Sequence, residues 1–194
     1  MPAERRAPAE SEAGIVGVVL AAGRARRFGA DKRWASCRGE PLLAHALTVA
    51  RTVCDRVLVV VEAPDPRLDA LLDRLPAEAI ICPEAHQGLA ASRRCALARI
   101  ERAVGVAGVL IFLGDMPDVR PVDALRLIRS MRLDGRPVRP VHDGRPGHPV
   151  ACPPGWIGHV AAHGFPAGEG KMLRCIHPGV VQDVDRPGDL GIHA

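Results

Sequence analysis

Four side chains that carry fixed positive charge, Arg24, Arg26, Arg27 and Lys32, fall within nine positions of the stretch VVLAAGRARRFGADKRW, residues 18–34. Gly23 and Gly29 punctuate the same stretch, directly after an apolar run. Without a Cβ, backbone amides beside such glycines can approach an anion closely. Arg27 and Lys32 can then supply fixed charge to a polyphosphate. Neither the dinucleotide fingerprint G-x-G-x-x-G nor a Walker A loop is present: five residues separate the glycines, and no Ser or Thr follows Lys32. The plainer reading is a solvated basic surface loop.

Carboxylates form the second group. Asp115 in FLGDMP follows a strongly apolar run, and Pro117 restricts the turn after it. A carboxylate at such a strand end can hold Mg2+ or Mn2+; more commonly an aspartate there caps a helix or closes a turn. Asp183 and Asp185 alternate with Val184, so on a strand they would share one face, and one of them can complete a metal site. The alternative for either is a cap of the short helix containing Asp189. His148 in GHPV either touches substrate or locks the turn before Pro149. His159 and His163 stand four apart without an evident third ligand, which suits a solvated helix face. Cys95 and Cys175 lack a catalytic His pattern and are expected to be structural.

The elements that must position these groups alternate. IVGVVL (15–20), RVLVVV (56–61), AIIC (79–82) and GVLIFL (108–113) are apolar on both faces, as strands buried between helix layers are. Between them, 41–53, 64–75 and 88–104 carry apolar residues at helical spacing, with Pro41 and Pro121 suited to helix first turns. This succession predicts a mostly parallel, doubly wound three-layer α/β sheet with right-handed crossovers. In such sheets ligands lie beyond the carboxyl ends of the strands, where the basic loop and Asp115 both fall. The Pro- and Gly-rich last third predicts short strands near 138–142 and 148–152, then one or two short helices and VVQDVD (180–185). Its own core would be too small for independence, so it elaborates the same sheet.

With 194 residues the chain suits one domain over 14–194, after a polar, aperiodic leader over 1–13 that reads as disordered. A formal charge of +4 is mild, aromatics make up 3% and Tyr is absent, which argues against a stacking platform for nucleic acid. No apolar run approaches the roughly 18–20 residues of a membrane helix. The six cysteines include no C-x-x-C pair and fit buried thiols in a reduced cytoplasm.

LAAGRARRFGADK resembles the signature L-A-A-G-x-S-x-R-F-G-x-x-K of MobA-like NTP transferases, particularly molybdenum cofactor cytidylyltransferases of the MocA type. RGEPLL (38–43), GLAAS (88–92), FLGDMP (112–117), GRPGHPVAC (144–152) and DVDRPGDL (183–190) are similar, in order, to further landmarks of that family. Ala25 stands in place of the usual Ser, Cys82 in place of a frequent Asn, and PAGEGKMLR (166–174) is only loosely similar to the family's segment. The resemblance implies a nucleotide-diphospho-sugar transferase-like Rossmann variant. Its NTP-binding half would span about 14–118, and its acceptor side about 119–194. It implies transfer of a nucleoside monophosphate with release of pyrophosphate, CTP as donor and molybdopterin as phosphorylated acceptor, for use by a molybdoenzyme. Arg27, Lys32 and Asp115 would be catalytic, and Leu20, Ala21, Ala22, Gly23, Arg24, Gly88 and Ser92 would bind the nucleotide. His148 would contact the acceptor, and Asp115 with Asp183, or else Asp185, would bind the metal. The open alternatives are a GTP-using guanylyltransferase, a transferase for another phosphorylated metabolite, and a non-catalytic molybdopterin carrier.

Overall fold

The computed structural model describes residues 13–23 and 28–193. All but Ala13 of the expected leader, and the loop residues Arg24, Ala25, Arg26 and Arg27, lie outside the described residues. The chain runs β1 (Gly14–Leu20), β2 (Ser36–Cys37), β3 (Glu40–Pro41), α1 (Leu42–Val53), β4 (Arg56–Val61), α2 (Pro66–Arg74) and β5 (Glu78–Ile81). It continues through α3 (Leu89–Glu101), β6 (Val106–Leu113), α4 (Pro121–Asp134) and β7 (Val138–His142). The last elements are β8 (Arg145–Pro146), β9 (Val150–Cys152), α5 (Ile157–His163) and β10 (Lys171–Arg174).

One eight-stranded sheet runs β10-β7-β9-β6-β1-β4-β5, with β8 paired to β7. Strand β1 is parallel to both β4 and β6, so Leu20 lies opposite Val60 on one side and Leu113 on the other. Strand β9 enters antiparallel between β6 and β7, which makes the sheet mixed as well as mostly parallel. Strands of the Pro- and Gly-rich last third therefore extend the same sheet.

The pleat explains why β1 is apolar throughout. Ile15 and Val19 point into a core shared with Leu43, Leu47, Leu68 and Leu127 of α1, α2 and α4. Val16, Val18 and Leu20 point into the opposite core, with Leu97 and Ile100 of α3 and Val160 of α5. Helices thus cover both faces, giving three layers. Local signals set several helix ends. Asp65 accepts the Arg67 amide at 3.0 Å before Pro66 opens α2, and Gly135 ends α4 in the left-handed region at φ 64°.

Several expected boundaries move. Pro41 pairs with Ser36 and precedes α1 instead of opening it. Helix α3 stops at Glu101, short of 104, and Cys82 leaves β5 to precede a 3-10 turn, Pro83–Gln87. No ladder forms over 180–185: Val180 closes a 3-10 turn, Pro178–Val180, and the following residues join no strand. Among the described residues no cysteine forms a disulfide, five of the six cysteines are buried, and burial pushes the Cys54 and Cys152 thiols up to about 12, where they are inert. Among the described residues no helix is long and apolar enough to cross a membrane.

Candidate active site

Strands β1 and β6 end side by side, and the backbone continues their ladder past the strand ends. Ala21 donates to the Val60 carbonyl at 2.9 Å, and Gly114 donates to the Leu20 carbonyl at 3.0 Å. Asp115 follows at the ligand edge of the sheet. Opposite it stands Lys32, which opens a 3-10 turn, Lys32–Trp34, capped by Asp31. Lys32 Nζ lies 2.6 Å from Asp115 Oδ2, 2.9 Å from the Val184 carbonyl and 3.5 Å from Asp185 Oδ1.

Asp115 Oδ1 is buried with no hydrogen-bond partner among the described residues. A buried carboxylate oxygen without a donor is costly, and a cation is what offsets it. Asp115, Asp183 and Asp185 each offer an oxygen within 4.8 Å of the others. Burial, followed by the neighbouring charges of Asp115 and Asp185, pushes the Asp183 carboxyl above its usual range. Three converging carboxylates with one orphaned oxygen suit a hard divalent cation such as Mg2+ or Mn2+. Asp183 and Asp185 both reach the cluster, so neither excludes the other.

The segment that carries them is held by close backbone contact instead of a strand. A Cβ on Gly147 would overlap the Val180 carbonyl, and one on Gly179 would overlap the Asp118 carbonyl. That proximity lets the His148 amide donate to the Val180 carbonyl at 2.8 Å. The Val184 amide then donates to the Asp115 carbonyl at 2.9 Å, and the Val184 side chain is fully buried beside Cys37 and Leu42. With Val184 turned inward, its two acidic neighbours stay exposed. The helix-capping role belongs to Asp189, whose Oδ2 accepts from the Asp185 and Arg186 amides at 2.9 and 2.7 Å.

A cavity of about 500 Å³ opens beside this cluster. Leu20, Ala21, Ala22, Gly23, Lys32, Gly88, Ser92 and Asp115 all line it. Gly88, at φ 113°, makes the bend into α3 that a side chain would resist. Ala90 is exposed and Ala91 is buried, and neither reaches the wall. Cys82 also turns away, 1% exposed in the core behind α3.

Sequence reasoning missed Arg33, His86 and Gln87, which line the same cavity. His86 and Gln87 sit in the 3-10 turn that replaces the end of the expected strand; the flanking Pro83 and Gly88 were the available signal. Arg33 is held by Asp31 at 2.6 Å, which raises its guanidinium further. His148 does not line the cavity. Its Nδ1 faces the Ile111 carbonyl at 3.4 Å, and burial, then the charge of Arg139, brings its pKa down to about 4. Exposed on α5, His159 and His163 lie ring to ring at 5.1 Å. Arg24 and Arg27 fall outside the described residues.

The MobA-like NTP transferase domain matches residues 17–182. No curated protein matches the chain. Rv0371c from Mycobacterium tuberculosis H37Rv superimposes with a TM-score of 0.79 at 26% identity, covering 94% of this chain and 98% of that one. Its manganese complex aligns at TM-score 0.71 and 24% identity, over 92% and 97% of the two chains. Molybdopterin-guanine dinucleotide biosynthesis protein A from Archaeoglobus fulgidus gives 0.66 at 18% identity, covering 92% and 96%. CMP:2-keto-3-deoxy-manno-octonic acid synthetase complexed with CTP gives 0.73 at 15% identity, covering 92% and 95%. The sheet order, the acidic cluster and the match over most of the chain agree: the protein belongs to the MobA-like NTP transferase family.

Proposed function

We propose that this chain transfers a nucleoside monophosphate from CTP to a phosphorylated acceptor, with molybdopterin as the favoured acceptor, and releases pyrophosphate. The observation that carries the reading is Asp115, with one oxygen on Lys32 and the other buried without a hydrogen-bond partner among the described residues, at the edge of a cavity of about 500 Å³. A non-catalytic carrier needs neither a triphosphate grip nor a converging carboxylate cluster.

In the proposed step an oxygen of the acceptor phosphate forms a bond to the α-phosphorus of CTP. The bond from that phosphorus to the bridging oxygen breaks, and the electron pair leaves with pyrophosphate. A phosphate monoester, with a second pKa near ~6, already carries the negative charge it needs at neutral pH, so no base has to remove a proton. Asp115, with Asp183 and Asp185, would hold a divalent cation, whose charge neutralises the triphosphate. Lys32 offsets charge that develops on the departing pyrophosphate, and Arg27 and the amides around Gly23 assist it. Catalysis is then positioning and electrostatics without a covalent nucleophile. His148, half-buried and uncharged, orients the acceptor side instead of carrying a proton.

Cytosine is favoured over guanine because no carboxylate from the Ala85–Ser92 side lines the cavity among the described residues. Guanine's N1–H and N2–H2 would then lack the acceptor that pairs with both. The NTP-binding half spans about 14–118 and the acceptor side about 119–194. Cysteines that form no disulfide among the described residues suit work in the cytoplasm. Pyrophosphate release measured with each of the four NTPs, with and without molybdopterin, tests the assignment. CTP with molybdopterin is expected to give the fastest release. Release that ignores molybdopterin would discard that acceptor, and a GTP preference would make the protein a guanylyltransferase.

A further inference from the structure

Two arginines carry charge into the protein without a carboxylate to meet it. Arg93 on α3 and Arg139 on β7 are both partly buried, and among the described residues neither forms an ion pair. Surface arginines behave differently here: Arg56 and Arg99 both meet Glu78, and Arg74 meets Glu40. Arg93 Nε is enclosed and makes no hydrogen bond. Among the described residues Arg139 donates only through Nε, to the Gly147 carbonyl at 3.0 Å, and its guanidinium lies 5.9 Å from the Phe165 ring. Burial lowers the pKa of both guanidinium groups. Withdrawing a cation from water without a counter-charge is costly, so an anion that meets both forks is the natural complement.

Their placement gives that anion a role. The Arg93 guanidinium lies along Gly164, 3.4 Å from where a Cβ would stand, so the residue before Phe165 leaves it room. Both arginines act on His148, and their charges add to burial in keeping its imidazole neutral. His148 faces the carbonyl of Ile111 on β6, two residues before Leu113, which lines the nucleotide cavity. Ser92, next to Arg93, lines the same cavity from α3. The arginines therefore stand together by His148 and the Gly164–Phe165 turn, off the wall of the cavity itself. The loosely similar segment 166–174 begins just past Phe165, and its Lys171 is engaged by Asp134 at 2.7 Å.

We propose that Arg93 and Arg139 form an oxyanion site for the phosphate monoester of the acceptor. This role presupposes nucleotidyl transfer in the nucleotide cavity. The planar forks suit two oxygens of one phosphate, with Gly164 beside the fork of Arg93 and Phe165 beside that of Arg139.

Calorimetric titration at constant ionic strength tests it, with inorganic phosphate and acetate as probes and Mg–CTP as a separate ligand. The proteins are wild type, Arg93→Gln, Arg139→Gln, their Lys counterparts and Lys32→Ala. Phosphate is expected to bind wild type and Lys32→Ala alike and to bind either Gln variant at least tenfold more weakly, with the Lys variants between. Acetate is expected to bind at least tenfold more weakly than phosphate. Mg–CTP affinity within twofold of wild type in both Gln variants shows that they are folded. Undetectable phosphate binding by wild type, unchanged affinity in both Gln variants, loss only in Lys32→Ala, or equal binding of acetate would overturn the site. Arg-dependent phosphate binding by a wild type that takes up no Mg–CTP would leave the anion site standing and overturn its assignment to an acceptor.

Discussion

Lys32 and Asp115, 83 residues apart in the chain, meet at 2.6 Å across the mouth of the cavity. Lys32 comes from the capped 3-10 turn after the basic loop, and Asp115 from the end of β6. The pair joins the anion-binding and cation-binding sides of one site. Because Asp115 Oδ1 has no hydrogen-bond partner among the described residues, the ion pair leaves capacity at the carboxylate. Removing each partner should therefore have a different signature.

Lys32→Ala should lower kcat by about 10²–10³, as loss of one preorganised donor to developing negative charge does. The effect should exceed any change in the KM for CTP. Steady-state kinetics on Lys32→Ala check this, and a variant with wild-type kcat would return the basic loop to a solvated surface.

Divalent cations should stabilise the protein through the carboxylate cluster. Titrating Mn2+ into protein stripped with EDTA should raise Tm in proportion to the logarithm of its concentration above the Kd. Asp183→Asn should raise Tm in EDTA, because it relieves repulsion from Asp115 and Asp185, and should shrink the Mn2+-induced rise. A Tm that ignores Mn2+ in wild type would remove the cation from the site.

Gly147→Ala and Gly179→Ala should each destabilise the fold by about 1–3 kcal/mol or more, because the new methyl meets a backbone carbonyl that cannot easily yield. The same variants should weaken Mn2+ binding, since they push away the segment that carries Asp183 and Asp185. Chemical denaturation and metal titration together check both halves. Full stability in Gly147→Ala would mean that the 178–185 segment is held by other contacts.

The sheet was legible where local chemistry decides structure. RVLVVV (56–61) falls where it was expected, because a run apolar on both faces has few alternatives between two helix layers, and the short strand expected near 138–142 forms there too. The site was legible wherever a strand end displays it, as at Leu20–Gly23 and Asp115. Alternation over 183–185 allowed a strand that does not form, because alternation alone cannot distinguish a ladder from a segment pinned by Val184 and by contacts at Gly147 and Gly179. Arg93 and Arg139 gave no local signal at all. They stand 46 positions apart in the chain, and what marks them is the lack of a carboxylate partner among the described residues of the folded protein.

Base choice follows from the same cavity wall. CTP should be preferred over GTP by roughly an order of magnitude or more in kcat/KM, since unpaired guanine donors cost about 1–3 kcal/mol. Competition between the two nucleotides for one acceptor measures it directly, and a GTP preference would mean that guanine's donors are met without a carboxylate from the Ala85–Ser92 side of the wall.

The most direct measurement follows both products of one turnover: the nucleotidylated acceptor by mass, and pyrophosphate, from CTP labelled at the α-phosphorus. Wild type with Mg2+ and molybdopterin should give the two products in equal amounts. EDTA should abolish them, and Asp115→Asn should reduce them by at least about 10²–10³ while its Tm stays close to that of wild type. Equal turnover by Asp115→Asn, or label left entirely in CTP with every acceptor and metal supplied, would contradict metal-dependent nucleotidyl transfer at the Lys32–Asp115 site.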